Sequence, residues 1–183
     1  MRTARLAREF NLDVRHTLFP LHPETPDQGQ TLEQLFGDGR NLDAARSRMV
    51  SLMRDEGLEY GHRTHTYNSR RAQEMAKWAE TQSAGEVIHD ALYRAYFVDG
   101  LNLADIDSLQ RVATSLGLDS VEARDAVESG DYAAAVDADW QRSREIGVTG
   151  VPTFVVGRSG VVGAQPYETL ERLVREGGGT ARG

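Results

Sequence analysis

The chain has 183 residues, 39% apolar and 27% charged, with a formal net charge of −7 and no cysteine. The length suits one compact domain, or a core domain with an insertion. The acidic balance argues against a general nucleic-acid binder, and no apolar run is long enough for a bilayer-spanning helix. The absence of cysteine excludes a disulfide, a zinc–thiolate site and a thiol nucleophile within these residues.

Met1-Arg2-Thr3-Ala4-Arg5 is not followed by the apolar stretch of a secretory signal, so the cytoplasm is the expected compartment. Arg2–Phe10 has apolar residues at helical spacing, and Leu12–Phe19 alternates like a half-buried strand. Pro20, Pro23 and Pro26 then predict a loop over Pro20–Gly29. Leu42–Glu56 predicts a helix with Leu42, Ala45, Met49, Leu52 and Met53 on one face, and Leu58–Thr66 reads as irregular or extended. Further helices are expected after Asn68 or Ser69, over Glu86–Val98, over Ile106–Leu116, over Val121–Glu128 and over Asp131–Ile146. Near the end, Pro152–Val156 is a strand, Gly157–Gly160 a turn, and Val161–Val162 open a second short strand. Pro166 begins a helix over Tyr167–Glu176, and 177–183 (GGGTARG) reads as a flexible tail.

A proline at the mouth of the most strand-like segment needs a reason, because it cannot donate to a sheet ladder. At that point GVTGVPTFVV resembles the cis-proline loop and following strand of DsbA-like thioredoxin-fold oxidoreductases. More narrowly it is similar to their FrnE-like branch, neighbours of the 2-hydroxychromene-2-carboxylate isomerases. FPLHPETP, NSRRAQEMAKWA, ALYRAYFVDGLNLADIDSLQRVATSLGLD and GAQPYETLERLV carry the same resemblance, in the same order.

The resemblance implies an α/β, thioredoxin-like fold with a large inserted all-helical domain. The N-terminal helix–strand part is expected over 1–29, the helical insertion over 30–146 (its last helix, 131–146, leading back to the sheet), and strand–strand–helix over 147–176. In that family a C-x-x-C motif follows a first strand. Neither is in this sequence, so the expectation is a truncated chain that starts partway along the first helix. A strand lost from the sheet would leave two unpaired edges and an uncovered apolar face, so the chain is expected to be unstable, to aggregate or to pair between copies, a homodimer through the unpaired edges being one outcome.

Thiol–disulfide exchange needs an attacking thiolate and a resolving thiol, so no catalytic residue is assigned. The expected function is that of a DsbA-like thiol–disulfide oxidoreductase family member in a truncated or redox-inactive form that keeps the cis-proline substrate-binding loop. The resemblance implies a cis Val151-Pro152 bond, with Gly150, Val151 and Pro152 offering backbone to an extended peptide, a thiol protein or glutathione. Asn68 matches a family position beside the groove and serves equally as a helix N-cap. The alternatives are a non-catalytic peptide- or thiol-binding module and a glutathione-dependent isomerase relative. No cofactor is expected, glutathione being the one alternative.

His62 and His65 have the spacing of a metal pair but no evident third ligand, so they read as loop residues and no metal site is assigned. His16 and His22 read as surface or satisfied histidines. Asp137 and Asp139 sit two apart and do not face each other on a helix. Trp78, Trp140, Tyr93 and Tyr96 read as core aromatics, with groove lining as the alternative.

Overall fold

Leu6 of helix α1 (Arg2–Glu9) and Phe10, which follows it, bury themselves with Tyr167, Leu170 and Val174 of the last helix, α9 (Tyr167–Glu176). The computed structural model describes residues 2–37, 41–85 and 87–183. Two compact units divide it: Met1–Leu21 with Asp139–Gly183, and His22–Ala138. None of its helices is long and apolar enough to cross a membrane, among the described residues.

The first unit holds the hairpin and is the one in which the resemblance leads us to expect the thioredoxin-like part. Strands β3 (Thr153–Val156) and β4 (Ser159–Val162) form an antiparallel hairpin in the register Phe154↔Val161 and Val156↔Ser159. Its two-residue turn, Gly157-Arg158, starts with a left-handed φ of +61°, which glycine adopts without a Cβ clash. Alternation then sends Phe154, Val156 and Val161 to the α1/α9 core, while Val155 (48% exposed) and Val162 (54% exposed) face outward. Arg5 lies 3.7 Å from the centroid of the Tyr167 ring. The Tyr167 hydroxyl donates to Glu9, and with Arg5 it holds the Glu9 carboxyl below its ordinary range.

The strand expected over Leu12–Phe19 does not form, and residues 11–20 have no regular structure. A strand needs a ladder partner for its N–H and C=O groups, and none lies alongside it among the described residues. The segment is fastened instead by Asp139, which accepts the Leu18 N–H at 3.0 Å. The tail expected to be flexible is also paired. Asn11 N–H donates to Thr180 O at 2.9 Å and Arg182 N–H to Glu9 O at 2.8 Å, with a Phe10↔Ala181 bridge between them. The end of α1 exposes carbonyls and amides that the tail backbone satisfies.

The second unit is helical. Its core joins α4 (Arg70–Glu80), α5 (Ile88–Phe97), α6 (Ile106–Ser115) and α7 (Ser120–Ser129) around Met75, Ile88, Leu109 and Val112. Asp105 and Asp119 accept backbone N–H groups at the starts of α6 and α7, as N-cap carboxylates do. Glu86, where the sequence pattern began the α5 helix, lies outside the described residues. α8 (Ala133–Glu145) begins in this unit, with Val136 fully buried. Arg70 ties α4 to α8 through Asp137 at 2.6 Å and Ala133 O at 2.9 Å, and pairs along its own helix with Glu74 at 2.6 Å.

Three small elements were not expected. Strands β1 (Gln30–Thr31) and β2 (His65–Thr66) pair antiparallel, and α2 (Leu32–Phe36) starts at a Thr31/Gln34 capping box. The face expected to be buried on α3 (Leu42–Asp55) is not: Met49 and Leu52 are 43% and 47% exposed, and no residue of that helix is buried. Nothing among the described residues packs along it to take up that face. The unit boundaries at 21/22 and 138/139 also differ from the expected 29/30 and 146/147. The proline loop belongs with the helices because Asn68, Arg71 and Asn102 bind it (Asn102 Nδ2 to Asp27 O, 3.0 Å). The last turns of α8 belong with the hairpin unit because Asp139 and Ser143 hold Leu18.

Candidate functional site

The loop that enters β3 is built by short-range hydrogen bonds. Val148 N–H closes the end of α8 on Ser143 O at 2.9 Å, and the Thr153 hydroxyl donates to Gly150 O at 2.6 Å. The Val151-Pro152 peptide is cis. Pro152 offers its one backbone hydrogen-bonding group inward, its carbonyl accepting the Gly163 N–H at 2.7 Å and extending the hairpin by one step. Antiparallel alternation then turns the backbone groups of Thr153 and Val155 to the other edge of β3, which no strand occupies among the described residues.

Val151 stands at the start of that edge. It is 50% exposed, and neither its N–H nor its C=O is bonded within the described chain. A Cβ added at Gly150 would meet nothing within 4 Å, so the space over the loop is open. Gly150, Val151 and Pro152 thus form one short stretch in which the Val151 main chain is unbonded and no side chain is ionisable.

Asn68 belongs to the helical unit and uses its amide there. Nδ2 donates to Pro23 O at 3.1 Å and Thr25 O at 2.8 Å, while Oδ1 accepts the Arg70 N–H at 2.9 Å. Ser69, not Asn68, is the N-cap residue of α4, and its side chain makes no capping bond. Both amide hydrogens of Asn68 are therefore engaged in holding the proline loop on the first turn of α4. Beside it the buried Thr25 hydroxyl has no hydrogen-bond partner.

The other residues singled out from sequence are dispersed. His62 is exposed, the His65 ring stacks on Tyr67, and among the described residues no group of three His, Cys, Asp or Glu side chains could hold a metal. His16 and His22 are surface residues. Asp137 and Asp139 serve different partners, Arg70 and the Leu18 N–H. Trp78 is in the helical core, whereas Tyr93 is 58% exposed. Gly163 and Thr153, which fix the loop from either side, were missed. Their only sequence signal was adjacency to the hairpin. Arg63, whose buried Nε has no partner, left no sequence signal at all.

A family model described as a DSBA-like thioredoxin domain matches residues 1–175. The chain belongs to that family. Among solved structures, this DsbA-like chain superposes on 2-hydroxychromene-2-carboxylate isomerase with a TM-score of 0.72 at 19% identity, over 97% of this chain and 85% of that one. It superposes on the cytosolic disulfide reductase DsbM from Pseudomonas aeruginosa, solved with GSH, with a TM-score of 0.62 at 21% identity, covering 94% and 90%. At such identities these neighbours establish the shared fold. Among curated proteins it is 28% identical to YwbO of Bacillus subtilis over 105 residues, 54% of this chain and 50% of that protein. The match thus spans about half the length of that relative.

Proposed function

We propose that this DsbA-like chain is a redox-inactive binding protein that holds an extended thiol peptide, or glutathione, along the open edge at Val151-Pro152. The observation that carries the reading is the exposed, unbonded backbone of Val151 beside the open space over Gly150. A main chain in that state offers one donor and one acceptor to an antiparallel partner, the pattern used when a peptide adds to a sheet edge. The sequence holds no cysteine, so these residues supply no thiolate to attack a bound disulfide. The bound GSH of the DsbM structure supports glutathione as a ligand class, and that protein's description as cytosolic supports a cytoplasmic setting. Asn68 acts as a positioning residue for the proline loop. A second copy competes for the same free edge of β3, so self-association and ligand binding oppose each other.

Calorimetric titration of the 183-residue chain with reduced glutathione and with a cysteine-containing extended peptide tests the reading. Saturable binding of at least one ligand is expected, with no insulin-reducing activity. Gly150→Val, whose Cβ meets no atom of the chain, should keep the melting temperature and weaken that binding at least about tenfold, the loss of roughly 1.4 kcal/mol. Absence of binding to both ligands would sink the proposal.

A further inference from the structure

Among the described residues, Arg63 has no counter-charge: it makes no hydrogen bond or ion pair with any of them, and its Nε is buried without a partner. Its terminal nitrogens are equally unbonded but are not among the buried atoms, so they reach solvent. The terminal nitrogens, not the buried Nε, are therefore the donors that a ligand can reach.

The surroundings are aromatic. The guanidinium carbon lies 5.2 Å from the Tyr96 ring centroid and 5.6 Å from that of Phe97. Phe97 stacks with Tyr60 (centroids 6.1 Å apart, planes at 25°) and is tilted against Tyr93 at 6.3 Å. The floor is held from below, where Tyr96 OH donates to His65 O at 3.1 Å. Gly61 brings the segment carrying Arg63 onto the end of α5. Its N–H donates to Phe97 O at 2.8 Å, and a Cβ there would fall 2.2 Å from Val98 O, so any other residue would push the two apart.

Charge narrows the ligand. Arg94 of the same helix as Tyr96 and Phe97 is matched by Glu59 at 2.5 Å, whereas Arg63 is matched by no carboxylate among the described residues. One guanidinium stacked on rings, with its outer edge free, matches a single planar carboxylate better than a phosphate dianion. The exposed Tyr93 and the partly exposed Tyr60 and Phe97 supply apolar surface for whatever carries that carboxylate.

We propose that Arg63, with Tyr60, Tyr93 and Phe97, binds a carboxylate borne on a phenyl or comparable apolar group. The carboxylate takes the terminal nitrogens of Arg63, and the ring lies on the aromatic shelf. Two sources share this chemistry: the C-terminal residue of a peptide and a free aryl acid.

Titrating the ¹⁵N-labelled chain while following arginine Nε–H resonances tests it. The probes are N-acetyl-phenylalanine, its amide, 3-phenylpropanoate, a tripeptide ending in a phenylalanine carboxylate, and inorganic phosphate. Both small acids should saturate and shift one Nε–H signal, with the amide at least tenfold weaker. Arg63→Gln should remove the signal and the binding, and Tyr93→Ala should weaken binding several-fold. If Arg63→Gln does not fold by circular dichroism, Arg63→Lys, which keeps the charge without the fork, should bind several-fold more weakly than the parent chain. Tighter binding of the tripeptide than of 3-phenylpropanoate supports a chain terminus as the source, and the reverse supports a free acid. Equal binding of acid and amide, binding that survives Arg63→Gln, tighter binding of phosphate, or no saturation by either acid would each overturn the assignment.

Discussion

In the helical unit, Met75, Ala79, Ile88 and Ala113 have no exposed surface. In the hairpin unit the strands are covered on one face only, and Val151, Val155 and Val162 stand about half in solvent on the other parts of its surface. The difference follows from geometry. A helix satisfies its own backbone and needs only a neighbour for one stripe, so four amphipathic helices close a core among themselves. A strand needs partners at both edges and layers on both faces, and two strands with two helices cannot supply all of them. Openness in the second unit is also what leaves main chain available at Val151.

The sharpest way to break this comparison is to make a cavity in each core. Met75→Ala should cost about 2–5 kcal/mol, and Leu170→Ala a similar amount in its own unit. Each unit carries one tryptophan, Trp78 in the helical unit and Trp140 in the other, so single-tryptophan variants report on each separately. Met75→Ala should move the Trp78 urea transition and Leu170→Ala the Trp140 transition. If either variant moves both transitions together, the two units unfold as one body and the contrast fails.

A smaller effect concerns the proline loop. Asn68→Ala removes three hydrogen bonds and should cost about 1–3 kcal/mol, given that it leaves backbone groups unsatisfied. Hydrogen exchange at the Thr25 amide should speed up markedly, while exchange in α6 and α7 stays unchanged. Unaltered protection at Thr25 would show that the loop is held by other means.

The smallest effect is electrostatic and confined to the hairpin unit. The Tyr167 hydroxyl, then Arg5, lower the pKa of Glu9 from its usual 4.5. A lowered folded-state value means the stabilisation is fully present above pH 4.5 and is lost as pH falls through the lower folded value. Tyr167→Phe should flatten that acid limb in the Trp140 transition and leave the Trp78 transition untouched. The carboxylate is exposed, so the change should be slight.

Much of the helical unit was legible because period and caps agree: Asp105 and Ile106, Gly117, and the Leu109/Val112 stripe all point to one helix. Likewise, Pro166 and the Leu170/Leu173/Val174 face marked α9 correctly. Local pattern failed where the outcome depends on a distant partner. Leu12–Phe19 alternates well, but alternation makes a strand only beside another strand. The apolar residues over Leu42–Met53 have helical spacing, yet nothing among the described residues covers their face. The family resemblance located Val151 and Pro152. The unbonded state of the Val151 backbone and the isolation of Arg63 are three-dimensional facts that no local pattern records.

The pairing of the tail with α1 has a consequence for how the hairpin unit is made. Asn11 and Thr180 are 169 positions apart, and the helical unit is translated between them. A nascent chain can therefore finish its helical core while residues 2–21 wait, their partner strands and closing helix still unsynthesised. Closure comes only once Thr180–Arg182 have left the ribosome, so quality control would meet one finished unit and one unfinished unit.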